Sequence, residues 1–83
     1  MSEEINVDQT LDAKGLNCPL PILKTRKALN DLAQGNVLKV LTTDPGSQKD
    51  MPAWAHRTAN QIVKTEVVGN TFIFYIKKLA GGT

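Results

Sequence analysis

The sequence predicts a two-layer sandwich of the α/β (α+β) class, ordered β-α-β-α-β-β, with two helices on one face of a mixed four-stranded sheet. Three observations predict it. The first segment alternates apolar and polar residues while later ones are rich in β-branched residues; the stretches between them carry helix-start signals; and a Gly-Asn pair joins the last two apolar runs. Strand, helix and strand in succession imply a right-handed parallel crossover. A two-residue hairpin implies an antiparallel pair.

In residues 7–13, Val7, Leu11 and Ala13 stand against Asp8, Thr10 and Asp12, the period of a strand with one wet face. Lys14-Gly15-Leu16-Asn17 breaks it. Pro19 then opens a helix expected to run to about residue 33, with Ile22, Leu29, Leu32 and Ala33 as its apolar stripe and Lys24, Lys27 and Asp31 outside it. Proline suits a first turn because the amide it lacks would have had no partner within the helix. Gly35 supplies a left-handed stop. Residues 37–43 read as a strand buried on at least one side, and Asp44-Pro45-Gly46 as a turn. Ser47 with Asp50 three residues on resembles a capping box opening a second helix to about residue 59, although Pro52 in its first turns could move the start to Asp50. Asn60 is the expected stop. Residues 62–67 and 71–77 are the last two strands, with Gly69-Asn70 as their turn.

Eighty-three residues make one domain, with an ordered core of about residues 6–78. A domain this small buries only about 60–65% of its unfolded surface, which disfavours a deep pocket and a self-contained enzyme for a large substrate. No apolar run approaches the roughly 20 residues that span a bilayer. The start Met1-Ser2-Glu3-Glu4 is acidic and lacks the features of a secretion signal, so the expected location is the cytoplasm. A net charge of +2, with the signs interleaved, does not mark a nucleic-acid binder. The single cysteine, Cys18, excludes an internal disulfide, a C-x-x-C redox pair and a cysteine-rich zinc site.

Cys18-Pro19-Leu20-Pro21 is the most informative tetrapeptide. With Pro19 as the first helical residue, Cys18 would be the N-cap, facing the positive end of the helix dipole and the amides of Leu20 and Ile22. Such a setting can lower a thiol from about 8.5 into the range of about 3.5–7.5. A free cysteine inside a cell is most often a small buried hydrophobe; the turn before it and the Pro-x-Pro after it argue for exposure instead. Because the first two strands would be parallel, the loops leaving their C-terminal ends share one edge of the sheet, bringing Cys18 beside the segment 44–50. Hydrolysis would need a positioned base, and the only histidine, His56, reads as a surface or packing residue. A lone thiolate that accepts an atom from one protein and gives it to another needs no second residue, and a persulfide satisfies that requirement.

At these residues the sequence resembles the TusA (SirA-like) sulfur-carrier family. The resemblance rests on Leu11-Asp12-Ala13-Lys14-Gly15-Leu16-Asn17-Cys18-Pro19-Leu20-Pro21 and on Asp44-Pro45-Gly46-Ser47-Gln48-Lys49-Asp50-Met51-Pro52. It implies a βαβαββ sandwich and a small cytoplasmic sulfurtransferase whose Cys18 carries a persulfide. It further implies a cysteine desulfurase or rhodanese-like sulfur donor, a downstream relay protein as acceptor, and neither metal nor organic cofactor. The pathways implied are tRNA thiolation, molybdenum-cofactor assembly and sulfur oxidation; Gly46-Ser47 and Ala53-Trp54-Ala55-His56 lean towards the last. Pro19, Pro21, Asp44, Lys49 and Asp50 support the motif. From the residues alone, Asp44 is a turn or cap residue that could also orient the loop, and Lys49 and Asp50 could shift the thiol in opposite directions. Lys24, Arg26 and Lys27 are a solvated helix face or a docking surface. Trp54 is a core residue or an interface anchor. Ile73 and Tyr75, with Val37 and Leu41, are expected on the uncovered sheet face. A non-catalytic RNA-binding or adaptor module is the alternative; Phe72 and Phe74 should face the helices, leaving Tyr75 as its one stacking ring. Membrane or direct nucleic-acid contact is not expected.

Overall fold

The computed structural model describes residues 5–17 and 19–79; Cys18, on which the sequence places the chemistry, lies outside the described residues, as do residues 1–4 and 80–83. The element order is β1 (Gln9–Ala13), α1 (Leu20–Asn30), β2 (Val37–Thr42), α2 (Ser47–Arg57), β3 (Gln61–Val68) and β4 (Thr71–Lys77). The sheet runs β1-β2-β4-β3. β1 is parallel to β2, and β4 is antiparallel to both β2 and β3.

Period-two alternation sorts the sheet into two faces. Leu38 and Val40 of β2, with Phe74 and Ile76 of β4, point into a core closed by Ala28 and Leu29 of α1 and Met51, Trp54 and Ala55 of α2. Leu11, Ile22, Leu32, Ile62 and Phe72 pack around it. Both phenylalanines thus face the helices, as the alternation predicts, and Trp54 is a core residue. The opposite face carries Lys39, Leu41, Ile73 and Tyr75; Ile73 and Val37 are buried there in spite of lying on the side without helices.

The ends of the elements differ from the sequence reading, each for a physical reason. β1 starts at Gln9 rather than at residue 7, because Asp8 turns its carboxylate onto the Val37 amide (Oδ2, 2.8 Å). α1 ends at Asn30 rather than near residue 33. There Lys78, itself buried, donates its Nζ to the Leu32 carbonyl at 2.6 Å, and its own carbonyl takes the Gly35 amide at 2.7 Å. α2 ends at Arg57, and its stop is Ala59 rather than Asn60: Ala59 adopts φ +60° while Asn60 N–H reaches the Ala55 carbonyl and Ala59 N–H the His56 carbonyl. That is the double bond pattern of a Schellman stop, here without glycine. Gly69, at φ +62°, holds the first central position of the β3–β4 turn, as a type II′ hairpin requires.

Candidate functional site

The site grows from the parallel pairing of the first two strands. Ala13 ends β1 opposite Thr42 at the end of β2, so the loops that follow leave from the same edge. In the first loop Lys14 N–H bonds the Asp12 carboxylate (3.0 Å), Leu16 N–H bonds the Ala13 carbonyl, and Gly15 sits at φ +83°, where a side chain would be strained. Gly15 then donates its amide to the Thr43 hydroxyl at 2.9 Å. This one bond ties the loop that carries Cys18 to the loop that opens α2, the juxtaposition expected from the topology.

The start of α1 differs from expectation by one residue. Pro19 is the N-cap and Leu20 the first helical residue, so Cys18 precedes the cap in sequence rather than forming it. Leu20, expected to present its amide to the sulfur, spends it on the Asn17 carbonyl at 2.9 Å. Pro19 offers no amide, and among the described residues no side chain caps the helix and the first turn holds no acidic residue to meet the positive dipole end. Asn17, Pro19 and Leu20 are exposed. Pro21 is buried, and its carbonyl accepts the hydroxyl of the fully buried Thr25 at 2.7 Å, anchoring the first turn from below.

The start of α2 is built differently. Ser47 is not a cap; Gly46 is, and Ser47 is the first helical residue. Its buried hydroxyl pairs with that of Thr42 at 3.2 Å, and Thr42 Oγ1 also accepts the Asp44 amide at 3.1 Å. The capping box fails because Ser47 points inward to a strand hydroxyl instead of outward to its own helix. The Asp44 carbonyl takes the Ser47 amide (2.9 Å), and its carboxylate reaches the Gly46 amide (3.4 Å), so the turn role read from the sequence holds. A Cβ on Gly46 would lie 3.4 Å from Asp44 Oδ2 and 3.7 Å from Asp50 Oδ2. The two half-buried carboxylates therefore converge on the head of α2, whereas Lys49 is exposed. His56 is exposed in the last turn of α2. Lys24, Arg26 and Lys27 are exposed along α1. The hydroxyls of Thr42 and Thr43 were not singled out in the sequence; the β-branched run that marks β2 disguises them as strand formers.

A chain with one cysteine on a βαβαββ sandwich, whose loop after β1 is bonded to the loop after β2 at one sheet edge, has the architecture that the resemblance to the small sulfur carriers implies. The comparisons agree. The model of the sulfurtransferase TusA family matches residues 9–78, and the chain belongs to that family. It is 54% identical over 71 residues to the sulfur carrier protein TusA of Allochromatium vinosum, covering 86% of this chain and 93% of that one. It is 42% identical to a putative sulfur carrier protein of Halobacterium salinarum, over 94% of this chain and 98% of the relative. A SirA-like protein from Desulfitobacterium hafniense, known from its crystal structure, superposes with a TM-score of 0.75 at 27% identity, over 87% of this chain and 99% of its own. No helix among the described residues is long and apolar enough to cross a membrane.

Proposed function

We propose that Cys18 is the sulfur-carrying residue and that this sulfur carrier works in the cytoplasm as a relay between two proteins. Its thiolate attacks the outer sulfur of a donor's persulfide, on a cysteine desulfurase or rhodanese-like protein. A bond forms between Cys18 Sγ and that sulfur, the donor's S–S bond breaks, and the donor leaves as a thiolate. An acceptor thiolate then attacks the terminal sulfur now on Cys18, and Cys18 leaves as the free thiolate. Sulfane sulfur moves twice with no net oxidation, so no cofactor enters. The acceptor decides whether the sulfur goes to sulfur oxidation, tRNA thiolation or cofactor synthesis.

The observation that carries this reading is the sequence setting around Cys18: exposed Asn17, Pro19 and Leu20, a first helical turn that holds no acidic residue of its own, and a preceding loop pinned to Thr43. Pro19 and Pro21 stiffen the mount on the helix side. Asp44, Lys49 and Asp50 line the neighbouring helix head, where they would orient the loop and tune the thiol. The RNA-module alternative loses its stacking surface, since Phe72 packs on the core and Phe74 lies within it, while Tyr75 is engaged by Lys39, Lys64 and Glu66.

The test is loading. Incubation with a cysteine desulfurase and cysteine should add one reducible sulfur to Cys18, seen by mass spectrometry. A protein that stays unmodified, or a Cys18→Ala variant that loads equally, overturns the assignment.

A further inference from the structure

β3 forms the border of the sheet opposite β1 and pairs on one side only, with β4. It is long for an edge strand, at eight residues, and it exposes three valines: Val63 (36%), Val67 (54%) and Val68 (64%). Its sequence is Gln61-Ile62-Val63-Lys64-Thr65-Glu66-Val67-Val68. Counted outward from Thr65 in both directions, lysine meets glutamate, valine meets valine, and isoleucine meets valine. An antiparallel partner carrying this same strand would therefore match residues 62–68 with one another, leaving only Gln61 outside.

We propose that this border joins two copies of the chain, β3 pairing antiparallel with the copy's β3 about a twofold axis at Thr65. The proposal is independent of the sulfur chemistry. In this register Lys64 of each copy lies opposite Glu66 of the other, and Val63 opposite Val67. Opposed residues of an antiparallel pair share a face. Lys64 and Glu66 do share one, the open face with Tyr75: they pair with Tyr75 and Ile73 of β4 and bridge each other at 3.3 Å. Joining two copies turns that local pair into an alternating four-charge cluster.

Backbone geometry selects the same axis. In a two-residue hairpin the closing pair, here Val68 and Thr71, exchanges both ladder bonds, and the bonding alternates from there. Glu66 thus bonds inward to Ile73, while Val67 and Thr65 turn their amides and carbonyls outward. An axis at Thr65 makes Thr65 with its copy a hydrogen-bonded pair and leaves Lys64 with Glu66 as the closer, non-bonded kind, which favours the ion pair. An axis at Lys64 or at Glu66 would set a charge against itself. An axis at Val67 would leave the charges without opposite partners.

The register shift falls on Val63, between Ile62 and Lys64, so regular pairing is centred on residues 64–66, with Val63 and Val67 at its margins. A lysine on an edge strand ordinarily discourages this kind of association. Here the same strand supplies the carboxylate that answers it, two residues away.

Sedimentation equilibrium under reducing conditions tests the proposal, with protein up to about 1 mM, a range that detects even weak self-association. The wild-type chain should dimerise. Lys64→Glu and Glu66→Lys should each weaken the dimer by about tenfold or more, because like charges then oppose each other twice. Mixed in equal amounts, the two variants should recover a heterodimer near wild-type affinity, since each now supplies what the other lacks. Thr65→Pro should give a monomer with its fold intact, because the amide it removes points away from β4. A wild-type chain that stays monomeric across the range overturns the proposal. So does a dimer that the single charge reversals leave unchanged, since that places the contact elsewhere.

Discussion

The two helices begin at the same edge of the sheet and are built on opposite plans. α2 starts in a dense net: Thr42, Asp44, Gly46 and Ser47 use one another's hydroxyls, amides and carboxylate, and Met51 below them is fully buried. α1 starts on two prolines with no side-chain cap, its exposed Pro19 and Leu20 flanking the cysteine. One start is satisfied internally, and the other is stiff but left open. The proposed relay, in which a sulfur meets two successive partners, calls for both kinds of helix start side by side, and the Gly15–Thr43 bond couples the two loops that lead to them.

The placement of proline gives the largest test of this contrast. In α1 the prolines occupy the cap and the second helical position, where no intrahelical amide is lost. In α2, Pro52 stands at the sixth position and deprives the Gln48 carbonyl of its partner. Pro52→Ala should therefore stabilise the fold by about 1–3 kcal/mol, read as a higher urea midpoint, while Pro19→Ala should do no such thing. An unchanged midpoint for Pro52→Ala would mean that α2 has absorbed its proline without cost.

Next in size, Thr42→Val keeps the shape of the buried side chain but removes the hydroxyl that pairs with Ser47 Oγ and accepts the Asp44 amide. The expected loss is about 1–3 kcal/mol. A loss below that range would show that the net around α2 is ornamental to its stability.

The sequence already contained most of this architecture. All six elements, the parallel first pair, the inward phenylalanines and the shared edge of the two loops follow from alternation, turn residues and chain connectivity. What it did not contain is where the ends fall. Asp8, Ser47 and the exit of α1 were each read by local rules, and each is overruled by a bond to a distant partner: Val37 for Asp8, Thr42 for Ser47, and Lys78 for the exit. Local propensity is worth tenths of a kcal/mol to about one, so a single buried or part-buried hydrogen bond is enough to move a boundary. The edge of the sheet that holds the candidate site was legible for the same reason the fold was. Which hydroxyls stitch it together was not, because a threonine in a β-branched run gives no sign of which way it faces.

Two smaller effects sharpen the contrast further. Gly15→Ala forces a side chain into the left-handed region and should cost about 1–2 kcal/mol. Loading of Cys18 should slow along with it if the Gly15 turn sets the cysteine's position. At the far end of α2, Ala59→Gly relieves the same kind of strain and should gain up to about 1 kcal/mol, with loading untouched. Equal effects of the two changes on loading would deny the Gly15 turn any special place.

The sheet order carries a consequence for how the chain assembles. β4, last of the six elements to leave the ribosome, is an inner strand lying between β2 and β3, and Lys78 just beyond it closes the exit of α1. Until it arrives, β3 has no strand to pair with and the central apolar layer lacks Phe74 and Ile76. The sheet is therefore joined only by its last strand: the contacts that unite β2 with β3 are far apart in sequence and form only once residues 71–77 are in place, the kind of non-local pairing that slows folding.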